Sequence, residues 1–232
     1  TGLTVDGAAA DQRIGTRTAA VGDVDGDGAD DVVLGAAGDG SAHIVFGTPS
    51  GDSPTDVDLA AAGDAAGALT GLSGDTTIAV GAAGDVNDDG LADVAIGDPA
   101  DDGPNGVEAG AGVVIYGSPT RADVDLSALS AGATGFRVDG AAAGDGLGTS
   151  VAGAVDVDLN RDGFDDPVFG APRDPATDEG RAWTVFGADL AASVALASLG
   201  AAGVRIDGAA TGDGIGSELL AADVTGDGCG DI

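Results

Sequence analysis

One nine-residue pattern occurs four times at a near-constant interval, and it restricts the fold more than any other feature of the chain. It reads Asp23-Val24-Asp25-Gly26-Asp27-Gly28-Ala29-Asp30-Asp31, Asp85-Val86-Asn87-Asp88-Asp89-Gly90-Leu91-Ala92-Asp93, Asp158-Leu159-Asn160-Arg161-Asp162-Gly163-Phe164-Asp165-Asp166 and Asp223-Val224-Thr225-Gly226-Asp227-Gly228-Cys229-Gly230-Asp231. The first residues are 62, 73 and 65 positions apart. A motif recurring in one phase implies a repeated unit of about 65 residues that buries its core only when stacked on its neighbours.

The pattern has a chemical meaning. Oxygen-bearing side chains recur at positions 1, 3, 5 and 9: Asp23, Asp25, Asp27 and Asp31; Asp85, Asn87, Asp89 and Asp93; Asp158, Asn160, Asp162 and Asp166; Asp223, Thr225, Asp227 and Asp231. A glycine at position 6 permits a sharp bend, and the position 7 carbonyl (Ala29, Leu91, Phe164, Cys229) is a further donor. Crowded hard oxygen ligands suit Ca²⁺, which takes about 6 to 8 of them in flexible geometry. Three or four calcium ions are therefore expected, with the all-Asp first loop binding tightest and the Thr225 loop weakest. Asp156, two residues before Asp158, competes for the first position of the third loop. An EF-hand is excluded: its loop closes with a bidentate Glu at position 12, where this chain has Leu34, Ile96 and Phe169. Apolar residues flank each loop without helical period, so the loops are expected to join strands.

Glycine contributes 44 of 232 residues, which argues for many turns and against long helices. The net charge is −32, from 40 acidic residues and eight basic ones, all Arg. Such a chain is a poor partner for nucleic acid or an anionic membrane surface, both of which call for basic patches. The four loops hold sixteen of the acids, so metal binding does not account for the rest. An Asp-rich, Lys-free surface matches that of proteins from high-salt habitats, where screening makes self-repulsion tolerable. No apolar run approaches the roughly 18 residues of a membrane span. The chain starts at Thr1 with no signal peptide, which reads as a mature product or a piece of something longer. Cys229 has no second cysteine to pair with, and reads as a small residue in a loop.

Thr1-Gly2-Leu3-Thr4-Val5-Asp6-Gly7 returns as Thr134-Gly135-Phe136-Arg137-Val138-Asp139-Gly140 and as Ala202-Gly203-Val204-Arg205-Ile206-Asp207-Gly208, with Ala68-Leu69-Thr70-Gly71 as a degenerate copy. Units of roughly 1–67, 68–133, 134–201 and 202–232 follow. Each of the first three has an apolar strand into the acidic loop, a strand out of it, a variable loop, and a third strand, as in Ser41–Gly47, Gly112–Gly117 and Arg181–Gly187, while the fourth stops at Ile232 before its later strands. Connectors over 48–67, 118–134 and 189–203 lead to the next unit. The fold class is all-β, and four short strands per unit make a β-propeller blade.

The acidic loop followed by Phe169-Gly170-Ala171-Pro172, with Gly35-Ala36-Ala37 and Gly97-Asp98-Pro99 as variants, resembles the FG-GAP repeats of the integrin alpha-chain β-propeller and its prokaryotic relatives. The resemblance implies a seven-bladed ring with calcium in hairpin loops on one face. It also implies an extracellular or cell-surface interaction and adhesion module whose ligand, a protein or a cell-surface glycan, meets loops between blades. Here those are the loops Asp98 to Gly110 and Pro172 to Gly180. This chain then makes about three and a half blades, starting in the last strand of one blade and ending inside another. Unpaired strand edges at both ends would favour association.

Other candidates carry less. His43 is expected on the exposed face of an alternating strand, not as a catalytic base, and with no second His neither a His-based triad nor a zinc site assembles. Trp183, Tyr116, Phe46 and Phe186 are read as one repeated strand position packed in the core. Asp101, Asp102, Asp174, Asp178 and Glu179 lie on blade loops where a carboxylate pair could serve glycoside hydrolysis. The chain is read as a non-enzyme with structural calcium; the alternative is the propeller part of a secreted polysaccharide-degrading enzyme.

Overall fold

The computed structural model describes residues 3–49, 56–73, 78–129, 134–153, 157–173, 176–188 and 193–232. Among the described residues, runs of Val, Ile and Ala between glycine turns form sixteen strands: β1 (Val5–Asp6), β2 (Ile14–Gly22), β3 (Asp31–Ala36), β4 (Ser41–Val45), β5 (Val57–Asp58), β6 (Ala66–Thr70), β7 (Ala79–Gly84), β8 (Asp93–Asp98), β9 (Ala111–Ile115), β10 (Val124–Asp125), β11 (Gly135–Asp139), β12 (Ser150–Ala152), β13 (Val168–Ala171), β14 (Arg181–Val185), β15 (Val194–Ala195) and β16 (Gly203–Asp207). The helical content of the described residues is three single turns of 3-10 helix. The protein is all-β.

Three sheets repeat one plan. In the first, β2, β3, β4 and β6 run antiparallel in that order; in the second, β7, β8, β9 and β11; in the third, β12, β13, β14 and β16. None closes into a barrel. The fourth strand of each sheet is the segment that opens the next sequence unit, so the sheets run out of phase with the units by one strand. The connectors also add structure. Their two-residue strands β5, β10 and β15 pair in parallel with β1, β6 and β11, and the last two pairs clasp the first and second sheets to the segment feeding the following one. The acidic loops join the first and second strands of the three sheets, as expected from their flanks.

Burial explains why the strands lack alternation. Every residue of β8 and β9 is buried. Val94, Ile96, Val113 and Ile115 enter a cluster with Val21, Val33 and Ile44 of the first sheet. Ala95 and Val114, between them in sequence, enter a second cluster with Phe169, Trp183 and Val185 of the third. A sheet packed on both faces has no face to leave polar, so its strands read as continuous apolar runs. A third cluster, Ala152, Val157, Val168, Ala182 and Ala221, covers the far face of the third sheet.

The close approach of successive sheets needs glycine. Gly148 has φ +87°, and a Cβ there would sit 2.4 Å from the Ala111 carbonyl oxygen and 2.7 Å from the Gly97 Cα. Gly216, φ +87°, stands in the same relation to Arg181 O at 2.2 Å and to Gly170.

Two expectations about side chains are corrected here. His43 is not exposed: it is 6% accessible, since the whole of β4 is buried. Its Nε2 lies 3.1 Å from Gln12 Nε2 and 3.5 Å from Ser41 Oγ, and burial lowers its pKa below the usual histidine value. Phe46, Tyr116 and Phe186 do share a position, just after the third strand of each sheet. Trp183 instead lies inside β14 opposite Phe169, level with His43, which faces Leu34.

Candidate metal centre

The four acidic loops fold alike. In the first, Asp23 Oδ1 accepts the N–H groups of Gly26 and Asp27 at 2.7 and 3.1 Å, and Oδ2 accepts that of Gly28 at 2.8 Å. Asp158 receives Arg161, Asp162 and Gly163 at 2.6, 3.2 and 2.8 Å, and Asp223 receives Gly226, Asp227 and Gly228 at 2.7, 3.1 and 2.9 Å. Asp85 receives Asp89 and Gly90 at 3.0 and 2.9 Å. The position 5 carboxylate then accepts the N–H of position 7 in every copy: Ala29 at 2.8 Å, Leu91 at 2.9 Å, Phe164 at 3.1 Å and Cys229 at 2.9 Å. Successive N–H groups thus converge on fixed carboxylates, which curls the loop around its own acids. Both positions 4 and 6 are left-handed, with φ +56° at Asp88 and +63° at Arg161, where a side chain is disfavoured. The sequence reading credited position 6 alone.

The first loop gathers three acids. One carboxylate oxygen each from Asp23, Asp25 and Asp27 lie within 4.8 Å of one another, the one such group of three among the described residues. The donor set is all oxygen, which fits a hard cation such as Ca²⁺. In the other loops position 3 is Asn87, Asn160 or Thr225, so two acids remain with a neutral oxygen. The side chains of Ala29, Leu91 and Phe164 offer no ligand atom, leaving their carbonyls as the donors at position 7. The Cys229 thiol accepts a hydrogen bond from Arg161 Nε.

Position 9 has a different place. Asp31 accepts the N–H of Val24 through Oδ2 at 2.8 Å and that of Gly47, just past β4, through Oδ1 at 2.7 Å. Asp93 does the same for Val86 and Gly117, and Asp166 for Leu159 and Gly187, all at 2.8 Å. Asp31, Asp93 and Asp166 are 0 to 1% exposed. These three residues staple the loop to the end of the third strand, and Asp31 is not part of the group formed by Asp23, Asp25 and Asp27. Burial pushes their pKa values up, to about 6 for Asp31 and Asp166 and about 7 for Asp93, against the opposing pull of the N–H donors. Asp231 receives Val224 and Thr225, both at 3.0 Å, without the staple to a third strand.

The loops are also joined in series. The position 1 carbonyl of each accepts the position 8 N–H of the next: Asp23 from Ala92 at 3.0 Å, Asp85 from Asp165 at 3.1 Å, and Asp158 from Gly230 at 3.2 Å. Two arginines bridge to the acids from outside their own loops. Arg121, in the connector before β10, binds Asp25 and Asp27. Arg161 of the third loop reaches Cys229 and, at 3.7 Å, Asp227 of the fourth. Neither contact carries a sequence signal beyond the scarcity of cations, because each partner lies 66 or more residues away.

The remaining candidates lie on two loops. Asp101 is held by Arg137, which also binds Asp139 at 2.7 Å. Asp102 accepts the Glu108 N–H at 2.9 Å. Asp178 and Glu179 use their carbonyls, accepting from Gly212 at 2.6 Å and Ile215 at 3.2 Å, so this end of the loop docks on the turn after β16. The loop over 98–110 docks likewise on the turn after β11, through Val107, Glu108 and Ala109 carbonyls. Asp156 and Asp174 lie outside the described residues. No helix among the described residues is long and apolar enough to cross a membrane.

Compared with protein-family models and with curated proteins, the chain has no match.

Proposed function

We propose that this chain is a calcium-binding segment of a β-propeller of the FG-GAP type, working outside the cell as an interaction or adhesion module. The observation that carries the reading is the four loops: one backbone fold, one donor pattern, and a hydrogen bond from each loop to the next. Successive four-stranded antiparallel sheets, packed face to face and clasped by parallel connector strands, agree with blades of a ring.

In the first loop Asp23, Asp25 and Asp27 would hold the ion with the Ala29 carbonyl; in the others, Asp85, Asn87, Asp89 and Leu91, Asp158, Asn160, Asp162 and Phe164, and Asp223, Thr225, Asp227 and Cys229. Bound calcium supplies positive charge that neutralises carboxylates the fold has drawn together. The chain's own contribution is positional, since backbone N–H groups orient the carboxylates and Asp31, Asp93 and Asp166 anchor the first three loops to their sheets. A ligand, protein or glycan, would meet the variable loops over 98–110 and 172–180, which rest on the following repeat.

The deciding experiment is titration calorimetry on metal-stripped protein. Three or four calcium ions should bind, with no preference for Zn²⁺ over Ca²⁺. An absence of calcium heat in low and high NaCl would end this reading.

A further inference from the structure

In the second and third loops the position 5 carboxylate has a partner for its outer oxygen. Asn87 Nδ2 donates to Asp89 Oδ2 at 2.9 Å, and Asn160 Nδ2 donates to Asp162 Oδ2 at 2.8 Å. The first loop has Asp25 at position 3, which has no N–H to give and adds a third negative charge. Arg121, 96 residues away, replaces the missing amide. Its Nη2 donates to the equivalent oxygen, Asp27 Oδ2, at 2.6 Å, and its Nε donates to Asp25 Oδ2. Its Nη1 donates to the Asp64 carbonyl at 3.2 Å, and the guanidinium carbon lies 4.9 Å from the centre of the Phe46 ring. The Asp25 side chain is 2% exposed and that of Arg121 26%. A buried carboxylate without a partner is strongly unfavourable. With Arg121 included, positions 1, 3 and 5 of the first loop carry the same −2 as those of the second and third.

We propose that Arg121 is the built-in cation of the first loop. It holds Asp25 and Asp27 together when no metal is bound, and its charge cancels the third carboxylate, so that this loop binds a divalent cation no more tightly than the second and third. That removes the advantage expected from acid content. The second half of the proposal rests on the calcium reading above, and the first half does not. A fixed positive charge a few ångström from a divalent ion weakens binding by about tenfold even at the dielectric of water.

Two measurements test it. Thermal melting in excess chelator of Arg121→Gln, Asp25→Asn and the double variant, which gives the first loop the Asn of its neighbours, reads the metal-free role. Each single substitution should lower the midpoint, and the double should recover at least half of the summed loss. Strictly additive losses would overturn the first half. In calcium titrations of ¹⁵N-glycine-labelled protein, the amides of Gly28, Gly90 and Gly163 report separately, because each donates to the first carboxylate of its loop at 2.8 to 2.9 Å. Gly28 should respond at about the same calcium as the other two, and Arg121→Gln should move its response to about tenfold lower calcium. A Gly28 response that comes first, or that Arg121→Gln leaves in place, would overturn the second half. If none of the three amides moves, the second half falls with the calcium reading, and the melting result still decides the first.

Discussion

Replacing Asp93 by Ala separates two opposed effects at one buried carboxylate. The substitution leaves the N–H groups of Val86 and Gly117 without acceptors in a region closed to water. Each buried orphan donor costs about 1 to 3 kcal/mol, so with the carboxyl neutral the loss is about 4 kcal/mol. Against this, burial raises the Asp93 pKa from 3.8 to about 7. A raised pKa means that the folded state binds more protons than the unfolded one between those values. The wild-type carboxyl therefore contributes most below 3.8 and loses that contribution as pH rises through about 7. At 1.36 kcal/mol per pH unit, about 2 kcal/mol is gone by pH 5.5 and about 4 kcal/mol by pH 8. Asp93→Ala should then cost about 2 kcal/mol at pH 5.5 and be nearly neutral at pH 8. Urea unfolding of the chelator-treated protein at both values, with m unchanged, gives the measurement. Asp231→Ala is the control: its two N–H partners are exposed, water replaces it, and the cost should stay under about 1 kcal/mol. A cost for Asp93→Ala that is equal at both pH values, or larger at pH 8, would refute the reasoning, because the N–H donors would then outweigh burial.

The same sign governs the wild-type chain. With Asp31 and Asp166 also raised to about 6, metal-free protein should melt higher at pH 5.5 than at pH 8, and differential scanning calorimetry showing the opposite would count against burial as the cause. Gly148→Ala should destabilise by about 3 kcal/mol or more, since it combines left-handed strain with contact on backbone that cannot move aside. Gly163→Ala, with φ +95° and open space around it, should cost only the strain, about 1 kcal/mol, and equal losses in denaturation would show that the inter-sheet contact is loose.

What could be read in the sequence was whatever repeats locally. The acidic loops announced themselves because their donors and acceptors lie within nine residues, and the strands because Val, Ile and Ala crowd between glycine turns. The exposure of His43 was misread because alternation reports that two faces differ, not that both are covered. Stacking of a sheet on either side decides that, and it is a tertiary fact. The one-strand offset between units and sheets has the same origin, since a strand's partner across a 20-residue connector leaves no mark on its own composition. Position 9 shows the limit most clearly. Asp31, Asp93 and Asp166 are indistinguishable by residue type from the acids at positions 1 and 5, and only the N–H groups of Gly47, Gly117 and Gly187 reveal that they also staple the loop to its sheet.

The choice of arginine for every basic residue also makes sense only in the fold. The described ion pairs use six of the eight, and most join separate segments. Arg121 ties a connector to the first loop, Arg161 the third loop to the fourth, and Arg173 the third sheet's loop to Glu108 of the second at 3.1 Å. Arg137 spans Asp101 and Asp139, and Arg181 spans Asp145 at 3.6 Å and Asp207 at 3.4 Å. A chain of net charge −32 is pushed apart everywhere. Arg121, Arg137 and Arg181 each engage two carboxylates at once with one planar fork, a geometry that the point charge of lysine does not reproduce. Salt can screen the outward-facing acids, but it cannot replace a directed bridge, so these joins depend on side chains and the exposed surface depends on solvent.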